Sequence, residues 1–240
     1  MNRNRSEIRY KNMLISILML LIFTGLSDGE SNKKLNPDLI VNPDMEYGAE
    51  YFATDKELVL YYDSNFGEAK SFVKDDGETL TLDMRSDDFI FIQDVIVKND
   101  SVYLTRIEEE VDVFLFISAG IIVTYNTPAL RIPFPMTTGQ TWKWEGIEYI
   151  DEENADSIVI TGELLGVENL STPAGDFECI KIQTDIHKKS GAHTLFYEWR
   201  TPKIGLVKLE AYLDTKGFIG TIIDLLGYDT MYFNLIKVGA

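Results

Sequence analysis

The sequence predicts an all-β protein, with at most one or two short helices, in which an antiparallel meander forms an open, strongly curved sheet or half-barrel. Apolar runs of strand length recur at short intervals from Met45 onward, separated by Gly, Pro, Asn and Asp. No stretch has the sustained 3.6-residue apolar period of a long amphipathic helix. No repeat and no linker divides the chain, so residues 45–240 are predicted to form one antiparallel β-domain.

The first half of this domain alternates strands and tight turns. Glu57–Tyr62 is the first clear strand, and Asp75-Asp76-Gly77 is a turn. Leu80, Leu82 and Met84 alternate with polar residues, which is typical of a strand with one buried face. Further strands are predicted over Phe89–Val97, Ser101–Ile107, Val111–Ile117 and Ile121–Tyr125. The last two are apolar on both faces, which places them at the centre of the fold, and Ser118-Ala119-Gly120 is predicted to join them.

The second half resumes after Pro133, which lacks the donor that a central strand needs. Thr141–Ile150 is predicted to be a strand with Trp142 and Trp144 on one face. The strands predicted after it are Ser157–Val167, Phe177–Ile186, Thr194–Trp199, Leu206–Leu213 and Met231–Val238. Phe218–Leu226 has helical spacing, but its glycines limit a helix there to a couple of turns.

Residues 1–27 have the form of an export signal peptide. Four basic residues precede the apolar stretch Met13–Leu26, which is shorter than the roughly 20 residues that span a membrane. Gly25 and Ser27 are small enough for a signal peptidase, so cleavage after Ser27 is expected. Residues 28–44 are polar and are predicted to be a flexible lead-in. The expected location is periplasmic or extracellular, without a stable membrane span after cleavage. The alternative is anchoring through an uncleaved N-terminal helix.

The charge of the chain excludes some classes of partner. The formal net charge is −17, and removal of residues 1–27 would leave 18 basic and 38 acidic residues, a net charge of −20. Nucleic acid, whose phosphates require a basic face, is therefore not an expected partner. Cys179 is the single cysteine, so no internal disulfide can form.

Two turn-and-strand segments form a motif pair. The first is Ser171–Ile182, STPAGDFECIKI, and the second is Glu198–Lys208, EWRTPKIGLVK. In each, a proline presets φ at a turn position and a glycine can supply a positive φ. The motif positions are Thr172, Pro173, Ala174, Gly175, Phe177, Pro202 and Gly205.

The motif pair, preceded by PFPMTTGQTWKWEG (Pro133–Gly146), resembles a group of exported bacterial proteins of unknown function, many of them lipoproteins. The resemblance covers Pro133–Lys208 and implies a sheet similar to the open half-barrel of LolA/LolB-type lipoprotein carriers. It implies no catalytic residue and no cofactor. The chain departs from many such proteins because Leu26 stands where the lipid-bearing cysteine of a lipobox would be.

A curved sheet of this kind predicts a binding function rather than an enzyme. An exported cell-envelope protein could hold a lipid, an acyl chain or a lipidated envelope protein against strand aromatics. The candidate ligand-binding residues are Phe114, Phe116, Trp142, Trp144, Phe196 and Trp199. The same aromatics could equally fill a core. Two alternatives stay open: a structural or interaction module of the envelope that uses a strand edge or rim loop, and, more weakly, a hydrolase of envelope polymers.

Other reactive residues are given structural interpretations. His187 and His193 flank the turn Lys188–Gly191 and could face each other in a hairpin, but two ligands do not complete a metal site, so no metal is predicted. Cys179 lies in the middle of a strand and is expected to be a buried thiol. The acidic clusters are expected to be solvated turns, since none has the spacing of a calcium loop: Asp75-Asp76, Asp87-Asp88, Glu108–Glu110 and Asp151–Glu153.

Overall fold

The computed structural model describes residues 39–40, 42, 44–52, 55–98, 101–114, 117–214 and 230–239. The predicted signal peptide, most of the predicted lead-in and the ambiguous segment Phe218–Leu226 lie outside the described residues. So do the side chains of residues 111–119 and 214.

The described residues form fourteen strands and a short 3-10 turn, Ala49–Tyr51. The strands are β1 Glu46–Tyr47, β2 Val59–Ser64, β3 Gly67–Asp75, β4 Leu80–Arg85, β5 Phe89–Lys98, β6 Ser101–Phe114, β7 Ile117–Pro133, β8 Met136–Thr137, β9 Thr141–Ile150, β10 Asn154–Thr172, β11 Gly175–Lys188, β12 His193–Thr201, β13 Gly205–Asp214 and β14 Thr230–Gly239. The prediction of an all-β fold with an antiparallel, strongly curved sheet is confirmed.

The sheet is closed rather than open. Twelve strands form one barrel in which nearly every strand pairs with its neighbour along the chain. The circle closes where β14 pairs with β2, with Leu235 opposite Tyr62. The remaining two strands, β1 and β8, form a separate two-stranded ladder. Because the twelve described strands close into a barrel, the sheet has no free end strand, and outside the seam between β7 and β9 neighbouring strands pair through their ladders.

The antiparallel order places alternate turns at opposite ends of the barrel. The upper end is defined here by the turns at residues 65–66, 86–88, 151–153 and 189–192. The lower end is defined by the turns at residues 76–79, 134–140, 173–174 and 202–204. Both segments of the motif pair supply lower-end turns.

The N-terminal part of the described chain packs at the lower end. Ile40 pairs with Val167, and the backbone N–H of Lys203 donates to the carbonyl of Glu50 over 2.9 Å. Three aromatic side chains of this segment are almost fully buried: Tyr47, Tyr51 and Phe52. They belong to the same apolar cluster as residues of β5, β6, β7, β10 and β11. We call the described residues of this segment, 39–40, 42 and 44–52, the lower plug.

One seam of the barrel is weakly paired. Strands β7 and β9 share only three residue pairs, Val123–Tyr125 with Glu148–Ile150. Below them, the Asn126 side chain accepts from the backbone N–H of Ile147 at 2.9 Å. Pro128 follows in β7, and a proline without an N–H is tolerated in a strand at such an unpaired edge.

Four local predictions differ from the structure. Glu108–Glu110 lies inside β6, paired with β5, and is not a solvated turn. Ser118-Ala119-Gly120 lies inside β7, paired with residues 110–112 of β6, so it is not the predicted turn. Strand β3 is absent from the predicted strands, because its sequence GEAKSFVKD has small and polar residues at several inward positions. Finally, β10 runs well past Val167, to Thr172, around an irregular register between Leu164 and Gly166.

Candidate functional site

The ladder register defines which side chains face the barrel interior. One row runs through Trp142, Gly162, Thr184, Phe196 and Ala211 of successive strands. Of its side chains, Trp142, Thr184 and Ala211 are buried and Phe196 is half-buried. Since side chains alternate between the two faces of a strand, the residues on either side of each of these face outward.

The upper part of the interior keeps apolar side chains that are only half-buried. These residues occupy inward positions on six strands, and we call them the inner apolar set: Phe91, Ile121, Trp144, Ile186, Phe196 and Met231. Inward residues nearer the lower end, such as Leu164 and Ile182, are fully buried. Among the described residues, the interior is therefore filled at the lower end, whereas at the upper end fully buried side chains such as Ile150 and Ile158 lie beside these half-buried ones.

An aromatic stack lies beside the inner apolar set. Phe66, in the β2–β3 turn, stacks on Phe89 with ring centroids 4.7 Å apart, and Phe89 stacks in turn on Phe91 at 6.0 Å. Phe233 of β14 lies 5.7 Å from Phe89. Strands β5 and β14 are not neighbours in the sheet, so these rings join distant parts of the wall.

Charged groups also face the interior. Arg131 and Arg200 each place Nη2 on Oε1 of Glu198, at 2.6 and 2.9 Å, and all three side chains are at least nine-tenths buried. Burial acts to raise the pKa of Glu198, but the two arginines hold it below its ordinary value. The Arg200 guanidinium also lies over the Phe52 ring at 5.0 Å, which ties this triad to the lower plug.

A second group of charges lies toward the upper end. Lys188 Nζ is 2.6 Å from Oε1 of the buried Glu148. Burial raises the pKa of the neighbouring Glu109. The positive charge of Lys188 acts to lower this pKa, and the negative charge of Glu148 acts to raise it further. The polar end of a bound molecule in the upper interior would meet these three groups.

The aromatic residues predicted to bind a ligand do not all face the interior. Trp142 and Trp144 share the inward face, as predicted, and Phe196 is also inward. Trp142 donates from Nε1 to the Arg131 carbonyl at 2.9 Å, whereas Trp144 meets Tyr125 edge to face at 5.6 Å.

Trp199 differs from those three because it points to the outer face. It lies between Lys181 and Lys208 and donates from Nε1 to Glu168 at 3.0 Å. It therefore cannot line the interior. Of Phe114 only the backbone is described, and Phe116 lies outside the described residues.

The motif pair shapes two turns at the lower end of the barrel. Thr172 Oγ1 accepts from the Ala174 N–H at 3.1 Å and lies 3.3 Å from the Gly175 carbonyl, while Gly175 has φ of 134°. Gly205 has φ of 80° after the turn that begins at Pro202. Phe177 packs beside the cluster that contains Cys179.

Cys179 is fully buried, and burial raises the pKa of its thiol to about 12. His187 is eight residues further along β11, roughly 26 Å away at 3.3 Å per residue. These two residues therefore cannot act as a nucleophile and its base.

The two histidines do face each other on the outer surface. His187 and His193 are direct cross-strand partners, and their rings stack with centroids 4.4 Å apart. Asp185, which sequence reasoning did not connect with them, accepts from both. The missed signal was the i, i+2 spacing of Asp185 and His187, which puts both on one face of β11.

The outer wall carries a shallow depression of about 420 Å³ where β9, β10 and β11 meet. Lys143, Glu163 and Gln183 line it together with Trp142 and Gly162. Among the described residues, no helix is long and apolar enough to cross a membrane.

Comparison with known proteins yields a family match over part of the chain. Residues 123–222, from within β7 to beyond β13, match the DUF3108-like family, a family of unknown function. The matched range contains the whole Pro133–Lys208 segment that carries the resemblance stated above. Comparison with curated proteins gives no match.

Two solved structures show a distant likeness. One is a candidate lipoprotein from Parabacteroides distasonis ATCC 8503, with 15% identity, a TM-score of 0.46 and coverage of 79% of this chain and 98% of that one. The other is a candidate exported protein with a YmcC-like fold from Bacteroides fragilis NCTC 9343, with 14% identity, a TM-score of 0.32 and coverage of 82% and 100%. Likenesses this distant do not indicate what the barrel binds. Over residues 123–222, the chain is thus similar to the DUF3108-like family.

Proposed function

We propose that the protein is an exported, non-enzymatic protein of the cell envelope that binds a hydrophobic ligand inside the upper part of its barrel. The ligand class is a lipid, a free acyl chain or the acyl group of a lipidated envelope protein. The observation that carries the proposal is the inner apolar set, whose six side chains face inward and remain half-buried. Export is supported by the signal-like residues 1–27.

The contrast between the two ends of the barrel supports a ligand site at one of them. Below, the lower plug and residues such as Leu164 and Ile182 fill the interior. Above, Phe91, Phe196 and Met231 keep apolar surface in contact with solvent. Covering such surface with an apolar ligand gains about 25 cal/mol per Å², so the upper interior favours an acyl chain over a polar solute.

An amphipathic ligand would meet both an apolar and a polar part of the upper interior. The tail would lie against the inner apolar set, and the polar end would reach Glu109, Glu148 and Lys188 near the upper rim. A fatty acid or phospholipid has this division of polarity. A purely polar polymer would leave the apolar side chains uncovered.

The first test is native mass spectrometry of protein purified from its own compartment without detergent. We expect an adduct with the mass of a fatty acid or phospholipid. A delipidated sample should then take up a dansyl-labelled undecanoic acid with an increase in fluorescence. A bare mass together with no uptake of the probe would contradict the proposal.

Two variants of neighbouring residues locate the site. Phe196→Ala should weaken binding of the labelled acid by about tenfold, since a lost apolar contact of about 1.4 kcal/mol corresponds to that factor. Leu195→Ala, at the next position of β12 and on the outer face, is the matched control and should bind as the wild type does. Equal losses in both variants would argue against an interior site.

An interaction module is the second candidate, and the seam between β7 and β9 favours it. Exposed apolar residues lie on the outer side of this seam, with Ile122 and Ile147 each 38% exposed. Ile147→Asp would then abolish capture of a specific envelope protein while uptake of the labelled acid stayed intact. If Ile147→Asp still captured the envelope protein, this candidate would be ruled out.

A further inference from the structure

The upper end of the β11–β12 hairpin carries a cluster of three metal-binding side chains. His187 and His193 are opposite each other in the register, and Asp185 lies two residues before His187 on the same face. The hairpin turn, residues 189–192, holds the two strands together immediately beyond the histidines. The rigid ladder, and not a loop, therefore positions all three donors.

The three donor atoms lie close together. Oδ1 of Asp185 is 2.7 Å from Nε2 of His193 and 3.0 Å from Nε2 of His187. The three donor atoms lie within 4.8 Å of one another, and the imidazole planes are within 9° of parallel. Tetrahedral zinc, with bonds of about 2.0–2.2 Å, separates its ligand atoms by roughly 3.4 Å. To hold the ion, the Asp185–His193 separation would have to grow by about 0.7 Å. Because the two rings stack nearly parallel, at least one imidazole would also have to rotate so that both Nε2 lone pairs point at the same ion.

From this geometry we propose that Asp185, His187 and His193 form a binding site for a first-row divalent cation, with Zn²⁺ as the expected ion. Two imidazoles and a carboxylate match the nitrogen and oxygen donors of zinc sites, whereas Ca²⁺ and Mg²⁺ prefer oxygen donors alone. Nothing in the family match or in the proposed interior site assigns a metal here.

The surroundings give the ion access and an open coordination position. The His187 side chain is 58% exposed, and those of His193 and Asp185 are about 30% exposed, at 31% and 28%. Three protein ligands leave a fourth tetrahedral position for water or for a donor atom from another molecule. Such an open position distinguishes this site from a closed structural site with four protein ligands.

A hydrogen-bonded cluster without metal would have similar distances, because each imidazole can donate from Nε2 to the carboxylate. Metal binding requires instead that both Nε2 atoms be free of protons, with the ring proton on Nδ1. The two states differ in one measurable respect. A metal site binds a cation, and its affinity falls when any one of the three side chains is replaced. A cluster held only by hydrogen bonds shows no such dependence.

The test is titration of the purified, chelator-treated protein with Zn²⁺ in competition with a chromophoric chelator. We expect one equivalent to bind with a dissociation constant in the micromolar range or below. Asp185→Asn, His187→Ala and His193→Ala should each weaken this binding at least tenfold. An excess of Ca²⁺ or Mg²⁺ should not displace the ion.

The matched control is Asp176→Asn, which makes the same change at an exposed position at the other end of β11. It should bind zinc as the wild type does, and circular dichroism should show that all variants keep the β-fold. If zinc binding does not saturate at one equivalent, or if Asp185→Asn retains full affinity, the proposal is wrong. Uptake of the labelled fatty acid provides a separate measurement, so failure of this site leaves the interior site unaffected.

Discussion

Glu198 is the residue on which the buried charges of the interior depend. It is 1% exposed and is the carboxylate to which Arg131 and Arg200 both bind. Buried ions are costly unless paired, so two arginines and one glutamate are tolerated only because the glutamate lies between them. The chain thus places a polar triad in an interior that is otherwise largely apolar.

Glu198→Gln should therefore destabilise the protein by about 3–5 kcal/mol, the usual cost of removing one partner from a buried ion pair. The wild-type carboxyl has a folded-state pKa below its ordinary value of 4.5, so it stabilises the fold above that pH. This contribution is lost as the pH falls through the lower folded-state pKa, and the variant should lack it. Urea unfolding at a series of pH values measures both effects.

The control for this prediction is Glu145→Gln, since the ion pair of Glu145 with Lys143 is exposed. Its stability should change by no more than about 0.5 kcal/mol. If the two substitutions had equal effects, the buried triad would not contribute as described.

The contribution of Glu109 to stability should change with pH in the opposite direction to that of Glu198. Burial raises its pKa in the folded state, so the folded protein holds this proton more tightly than the unfolded chain does. Stability from this group is therefore present at low pH and is lost as the pH rises toward the folded-state pKa. Glu109→Gln should raise the melting temperature at pH 8, with a smaller gain at pH 4. A lower melting temperature at pH 8 would contradict this account.

At the scale of elements, two glycines leave room for the tryptophans of β9. Trp142 lies across Gly162 of the neighbouring strand, and a Cβ at Gly162 would come 2.1 Å from the indole. The same indole reaches over the seam to donate to the Arg131 carbonyl. Trp144 lies in the same way over Gly146 of its own strand. Because these glycines have no side chains, the two indole rings can lie against the backbone on the inner face of the sheet.

Gly162→Ala should accordingly cost about 1–3 kcal/mol, the range for overpacking of a filled interior. Gly120→Ala is the control, because it is also a strand glycine but an added Cβ there would meet its nearest atom at an ordinary 3.4 Å. Thermal unfolding of both variants would compare the positions directly. A destabilisation of Gly120→Ala as large as that of Gly162→Ala would show that strand glycine itself, and not Trp142, sets the cost.

At the scale of the whole molecule, the lower plug closes one end of the barrel. Phe52 is 2% exposed and packs against Arg200, and Tyr47 and Tyr51 meet edge to face at 5.6 Å. Among the described residues, the upper end is the less tightly filled of the two. The filling of the lower end comes both from this plug, which precedes the matched family region, and from residues inside that region, such as Leu164 and Ile182.

Phe52→Ala should destabilise the protein by about 3–5 kcal/mol, as expected for truncation of a buried phenylalanine. Ile40→Ala, at a residue of the same segment that is 50% exposed, should change stability by about 0.5 kcal/mol or less. Denaturant unfolding of both variants is the measurement. Equal stability of Phe52→Ala and the wild type would mean that the plug contributes nothing to the fold.

Local patterns in the sequence predict the individual strands better than they predict the closure of the sheet into a barrel. The alternation at Leu80, Leu82 and Met84 and the inward pair Trp142 and Trp144 are visible because one face of each strand is apolar. Closure depends on β14 finding β2, a pairing between distant segments that no local pattern marks. The sequence therefore supports a curved sheet but not its completion.

The interior charges and the cluster of Asp185, His187 and His193 could not be predicted from the sequence, for related reasons. Arg131, Glu198 and Arg200 lie on two strands from opposite parts of the meander, so their proximity follows from the barrel and not from spacing. Asp185 is close to His187 in sequence, but its relevance depends on His193 being directly across the ladder. Trp199 resembles Trp142 in residue type, and only the register shows that it faces outward.

The pairing of β2 with β14 also fixes when the molecule can fold. The first long strand has its partner almost at the far end of the described chain, and the lower plug docks on residues such as Val167 and Lys203 that are synthesised much later. Contacts this distant form slowly and only after the intervening strands exist. A ribosome-bound or partly translocated chain therefore has no barrel to close. Maturation must wait until the last strand is released, and a chain that crosses a membrane in extended form would acquire its structure only on the far side.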